Sequence, residues 1–154
     1  MSSILRVSLV ALVLTFPSLG YPRPAAIRAF DSFGDIKCED EMARLDNLAV
    51  HLQNDPTSRA AITFYGGRLF RGRLPRRGDA AARAARIKPY LVNRRGIPAG
   101  QILLIDGGYS TEWNVIIWIV PQGAAIPTPN PMFTIDQIKF RKGKVRARDF
   151  RCNI

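Results

Sequence analysis

Arginine and lysine have the clearest chemical potential in this chain, because they are numerous and clustered. The 154 residues include 23 Lys and Arg against 12 Asp and Glu, which gives a net charge of +11. Residues 68–95 hold ten basic side chains and a single acid, Asp79, and residues 139–154 hold seven basic side chains and one acid, Asp149. Arginine binds carboxylates and phosphates through a fork of N–H donors. The surplus therefore favours an anionic partner or surface.

The residue types that most enzymes use are sparse. His51 is the single histidine, and there is no Gly-x-Ser-x-Gly elbow, phosphate-binding loop or metal-ligand cluster. Glu39, Asp40 and Glu41 adjoin one another, but neighbours on a helix point apart. Their position at a helix N-terminus explains them, since negative charge is favourable there. We therefore expect a protein that is not an enzyme and that uses no cofactor or metal.

The two cysteines, Cys38 and Cys152, lie far apart in the sequence. In an exported protein an even number permits one disulfide, which would tie the C-terminal tail to the start of the first helix. The chain-entropy model gives such a loop up to about 4 kcal/mol of stabilisation. The alternative is two unpaired thiols, because two cysteines and one histidine are too few for a zinc site.

Residues 1–20 have the layout of a secretory signal peptide. Arg6 precedes an apolar run at 7–16, and small residues at Ser18 and Gly20 favour cleavage after Gly20. The alternative is a membrane anchor, but the run is about half of the roughly 20 residues that a transmembrane helix needs. No later segment has the length and hydropathy of a membrane span. We expect an exported protein, periplasmic or extracellular, with an extended leader at 21–29.

Apolar spacing and turn residues predict the elements that must position the basic side chains. A short strand over 30–37 precedes an amphipathic helix that ends at about Gln53. A second strand follows at 60–65, and Gly66-Gly67 opens an arginine-rich loop. Asp79 can cap the next helix. Pro89 lacks the N–H that this helix needs, so we expect a kink or a loosened last turn there.

The second half of the chain predicts further strands. Gly96 suits the left-handed position after a helix, a third strand runs over 102–105 before an Asp-Gly-Gly turn, and a fourth runs over 114–120. The fourth is apolar on both faces, as in a central strand or one near an oligomer contact. A Pro-rich linker at 122–132 then leads to residues 133–154, which form a basic hairpin or tail.

The order β-α-β-α-β-β predicts an α/β (α+β sandwich) fold, in which two helices pack on a mixed sheet. The apolar stripes of the two helices are then core.

Several motifs over residues 30–121 occur together in one known family. They are Leu45-Asp46-Asn47-Leu48 with Leu52, the strand Ile62 to Tyr65, and Arg83-Ala84 followed by Ile87, Tyr90-Leu91 and Gly96-Ile97-Pro98-Ala99. The helix, turn and strand together resemble the OmpA-like domain, the peptidoglycan-binding module of outer-membrane proteins, peptidoglycan-associated lipoproteins and flagellar stator proteins.

The resemblance implies a ligand site for the diaminopimelate of a peptidoglycan stem, held by an Asp after the second strand and an Arg that opens the second helix. Arg83 falls on the family's Arg, whereas the family's Asp falls at about Gly67. The candidate ligand-binding residues are Arg83, Arg68, Tyr65 and Asp79. The alternative for Arg83 is a structural role, including an ion pair with Asp79. Asp79 or Asp106 could restore the missing acid.

Two functions remain open at this point. The first is an exported, non-catalytic envelope module of OmpA-like type that associates with peptidoglycan. The second is a scaffold of this type that binds another anionic envelope polymer, or a protein partner, through its Arg-rich loop. Nucleic acid is disfavoured, because an exported protein rarely meets it and no basic motif of a known reader is present. The sequence leaves the oligomeric state open.

Overall fold

A computed structural model describes residues 27–150 and 152. The predicted signal peptide and most of the predicted leader therefore lie outside the described residues. The strands are β1 (Ala29–Phe33), β2 (Arg59–Gly67), β3 (Ile102–Ser110) and β4 (Asn114–Val120). The helices are α1 (Cys38–Asn54), α2 (Asp79–Ala84) and the short α3 (Ile87–Pro89), which continues into a π-helical turn at Tyr90–Arg94.

The four strands form one mixed sheet in the order β1-β4-β2-β3. β2 and β3 are parallel, whereas β4 is antiparallel to both of its neighbours. Ile62 of β2 lies opposite Leu104 of β3 and Ile117 of β4. The predicted mixed sheet with two helical regions is confirmed, and β4 takes the internal position that its apolar run favours.

Both helical regions pack on one face of the sheet. Leu45, Leu48 and Leu52 of α1 belong to the same buried cluster as Ile87 and Leu91 of the second region. The sheet contributes alternate residues to this cluster, as the period of a strand requires. They include Ile62, Phe64, Val115 and Ile117. The helical stripes read from the sequence are therefore core.

Proline and glycine explain the interruptions in the chain. Pro89 ends α3, and the turn after it is π-helical, which is the loosened last turn that the sequence predicts. Gly96 has φ 70°, the expected left-handed value. The predicted turn at residues 106–108 is wrong. β3 continues to Ser110, and the register between β2 and β3 shifts near Gly107 and Gly108.

The C-terminal segment follows the tail alternative rather than the hairpin. Residues 133–150 contain two short 3-10 turns, Ile135–Gln137 and Ala147–Phe150, and no strand is formed in this part of the described chain. Isolated bridges join Phe133 to Tyr109 and Arg141 to Arg76. The tail therefore returns across the sheet edge and the Arg-rich loop.

Cys38 and Cys152 form a disulfide, which confirms the first of the two alternatives for these residues. Disulfides persist in oxidising compartments, so the bond is compatible with an exported protein. Among the described residues, no helix is long and apolar enough to cross a membrane.

Candidate functional site

Arg83 lies in α2 and is almost completely buried, with 4 % of its surface exposed. Its guanidinium carbon is 4.8 Å from the centre of the Trp113 ring and 5.3 Å from that of Phe70. Aromatic faces attract a cation, and the attraction strengthens where water is excluded. Arg83 is therefore held in a fixed position between two rings.

Asp35 supplies the carboxylate that Arg83 requires. Its Oδ1 lies 2.6 Å from Arg83 Nη2, and its Oδ2 accepts a hydrogen bond of 2.6 Å from Arg71 Nε. Burial raises the pKa of Asp35, but the hydrogen bonds and charges of Arg71 and Arg83 outweigh it, so the pKa lies below its ordinary value. Burial lowers the pKa of Arg83, and the charge of Asp35 opposes that shift. Asp35 thus already supplies one carboxylate to the Arg83 guanidinium, at Nη2.

The predicted acid partners of Arg83 lie elsewhere. Asp79 is buried in the first turn of α2, where its carboxylate accepts hydrogen bonds from the backbone N–H of Arg76 at 2.7 Å and from Arg76 Nε at 2.9 Å. It makes no side-chain capping bond, since the cap position is Gly78. Asp106 is exposed and accepts a hydrogen bond from the backbone of Gly108. The predicted ion pair between Arg83 and Asp79 is therefore wrong.

Gly67 stands where the OmpA-like pattern has its acid, and the backbone there leaves no room for a side chain. A Cβ at this position would lie 2.3 Å from the carbonyl oxygen of Leu69 and 2.7 Å from the backbone nitrogen of Trp113. Real contacts of a Cβ are not this short, so the backbone path of this chain accepts only glycine at position 67.

The C-terminal tail covers the same region. The Phe150 ring meets the Phe70 ring edge-on at 6.1 Å, and the Phe150 carbonyl accepts a hydrogen bond of 2.6 Å from Arg86 Nη1. Asp149 forms an ion pair of 2.9 Å with Arg76, and Cys152 is bonded to Cys38. What remains open is a cleft of about 220 Å³. We call it the Arg83 cleft, and its lining includes Asp35, Phe70, Arg71, Arg83 and Phe150.

Two donors of Arg83, Nε and Nη1, are buried without a hydrogen-bond partner in the described part of the chain. A buried donor without an acceptor is costly. A small molecule with a hydrogen-bond acceptor would therefore satisfy these two donors if it entered the cleft.

Tyr65 and Arg68 lie outside the Arg83 cleft. The Tyr65 ring packs where a side chain at Gly107 would otherwise be, and its hydroxyl accepts a hydrogen bond of 3.2 Å from the backbone of Asn130. Arg68 is exposed, with its guanidinium carbon 4.7 Å from the centre of the Phe133 ring. Two of the four candidate residues, Arg83 and Asp79, line one shared cavity of about 20 Å³ that Phe150 also lines.

The two basic segments of the sequence meet on one surface. The backbone N–H and the Nε of Arg141 donate to the carbonyls of Pro75 and Leu74 at 3.0 and 2.9 Å. Arg76 Nη1 donates to the carbonyl of Lys144 at 2.8 Å. We call the exposed cations of this surface the basic face. Its members are Arg68, Arg73, Arg77, Lys139, Arg141, Lys142, Lys144 and Arg146.

No side chain of the basic face has a carboxylate partner within residues 27–150 and 152. Two of its arginines are nevertheless fixed by aromatic rings. Arg68 lies over Phe133, and Arg77 lies over Phe140 at 4.7 Å, while Phe140 also contacts Tyr109 edge-on at 5.9 Å. Stacked guanidinium groups lose less side-chain entropy on binding an anion.

Sequence reasoning missed Asp35, Phe70, Trp113 and Phe150 as neighbours of Arg83. Each comes from a different connection of the fold, and nothing in the local sequence around Arg83 indicates them. The two basic clusters were visible in the sequence, but their meeting was not.

Comparison with known proteins gives no assignment. No protein-family model matches the sequence, and no match to a curated protein was found. Among the described residues, no group of three or more His, Cys, Asp or Glu side chains could hold a metal ion.

Proposed function

We propose that the protein is an exported, non-catalytic binding module that attaches to an anionic polymer of the cell envelope through its basic face. The observation that carries the proposal is the union of loop 68–77 with tail 139–146 into a surface whose exposed cations lack carboxylate partners among the described residues. Polymers with phosphate or carboxylate groups suit such a surface, because these groups are the anions that arginine and lysine bind.

The proposal is tested by retention on immobilised heparin, a polysaccharide that serves as a general probe for polyanion binding. The triple variant Arg73→Gln, Arg77→Gln, Lys142→Gln should elute at distinctly lower salt than wild type. Salt screens the attraction between exposed charges, so a surface with three fewer cations is released from heparin at a lower salt concentration. The matched control removes three exposed cations elsewhere, Arg28→Gln, Lys37→Gln and Arg94→Gln. Equal elution of the two variants would show that only net charge matters and would sink the proposal.

The second candidate is peptidoglycan binding of OmpA-like type at Arg83. The two unpartnered donors of Arg83 favour it, since a stem carboxylate could accept from them. Asp35, the backbone at Gly67 and the cover of Phe150 weigh against it.

Purified sacculi separate the two candidates. If the basic face carries the binding, the triple variant loses co-sedimentation with sacculi and Arg83→Lys keeps it. Loss in Arg83→Lys alone, with normal folding, would instead favour the cleft.

A further inference from the structure

An apolar groove lies beside the basic face. It has a volume of about 300 Å³ and is lined by Leu69 and Leu74 of the Arg-rich loop, by Thr111 and Gln137, and by the cations Arg68 and Lys139. The polymer attachment proposed above gives a role to the two cations of the groove, but it gives none to the apolar side chains of Leu69 and Leu74.

Exposed apolar side chains concentrate around this groove. Leu69 and Leu74 are 47 % and 39 % exposed although they line it. Met132, whose sulfur accepts a hydrogen bond of 3.8 Å from the Thr111 hydroxyl, and Ile135, in the same turn as Gln137, are also exposed at its border. A contiguous exposed apolar patch with a polar rim is typical of an interaction site.

We propose that the groove takes the acyl chain region of an anionic phospholipid, so that the protein docks on an anionic bilayer surface. The inference rests on the proposed function, because the basic face supplies the attraction to the headgroups. Charge complementarity selects this occupant. Arg68 and Lys139 line the groove beside its apolar side chains, as required for a molecule with a phosphate at one end and a hydrocarbon chain at the other.

The test is flotation with vesicles of phosphatidylglycerol and phosphatidylcholine, compared with vesicles of phosphatidylcholine alone. Wild type should float only with the anionic vesicles. The double variant Leu69→Gln, Leu74→Gln should bind them at least about tenfold more weakly, with heparin retention unchanged because every charge is kept. The matched control is Val50→Gln, Ile126→Gln, which changes side chains 56 % and 40 % exposed outside the groove and should bind as wild type.

Several outcomes would overturn the inference. Equal vesicle binding by both double variants would show that the groove is not used, and failure of wild type to float would exclude the bilayer. Loss of binding to polyglutamate in the groove variant would identify an acidic protein surface instead. Failure of the proposed function is seen separately, as heparin retention that the triple charge variant does not alter. Met132→Gln, at the border of the groove, gives a second test with a smaller loss if the double variant does not fold.

Discussion

The Arg83 cleft and the basic face use the same residue type in opposite ways. Arg83 is buried, paired with Asp35 and placed between Trp113 and Phe70. Arg77 is exposed, stacked on Phe140 and free of any carboxylate within residues 27–150 and 152. Removing an arginine from water is costly, so a buried one needs an internal partner, whereas an exposed one can keep its charge for another molecule. We therefore expect substitutions in the first region to change stability and substitutions in the second to change binding.

The largest expected effect concerns the disulfide that holds the tail over the cleft. Cys38→Ser with Cys152→Ser should lower the free energy of unfolding by up to about 4 kcal/mol, because the bond closes a long loop. Denaturant unfolding of the variant and wild type measures the loss. In a Trp118→Phe background, acrylamide quenching of Trp113 should also increase as the cover of Phe150 loosens. Unchanged quenching would show that Phe150 covers Arg83 without help from the disulfide.

The next effect compares the ion pair of a buried arginine with that of an arginine that water reaches. Asp35→Ala should cost about 3 kcal/mol, since it leaves the buried charge of Arg83 uncompensated. Asp31→Ala is the matched control, because it removes the partner of Arg44, which is 41 % exposed against 4 % for Arg83, and it should cost about 1 kcal/mol. Both are measured by urea unfolding.

A second change tests the reason for that loss. Adding Arg83→Met to Asp35→Ala should restore part of the stability, because the uncompensated charge is gone. A double variant less stable than Asp35→Ala alone would contradict a mainly structural role for the pair.

The third effect concerns Gly67 and the path of the chain beneath Arg83. Gly67→Ala should cost about 2 kcal/mol, because the new Cβ meets backbone atoms that cannot move aside. Gly100→Ala is the control, with open space around its Cβ, and thermal unfolding should show almost no change. Equal stability of the two variants would mean that a side chain, and hence the acid of the OmpA-like pattern, is tolerated at position 67.

The fold class could be predicted from the sequence, because the signals for helices and strands are local. The stripe of Leu45, Leu48 and Leu52 identifies α1, and the run before Pro121 identifies β4. The predictions that failed depend on tertiary packing. The residues 106–108 look like a turn, but Tyr65 packs on Gly107 and β3 continues past it.

The candidate site was harder to predict than the fold. Arg83 was identified through the family resemblance, yet its partner Asp35 lies in the β1–α1 connection, where no periodicity indicates a contact with α2. The approach of the tail to the Arg-rich loop likewise depends on specific contacts, such as the hydrogen bonds from Arg141 and Arg76 to backbone carbonyls, which leave no pattern in the sequence.

The smallest expected effect on stability tests the other side of the comparison. Arg77→Gln should change the free energy of unfolding by less than about 1 kcal/mol, since it removes a cation–π contact at an exposed site. Its retention on heparin should nevertheless fall, because an unpaired exposed charge acts on the partner rather than on the fold. Arg83→Lys should show the reverse, with a clear loss of stability and little change in retention, since lysine lacks the planar fork that fits between Asp35 and the two rings. If both variants changed stability and retention in proportion, burial would not divide the arginines into structural and binding groups.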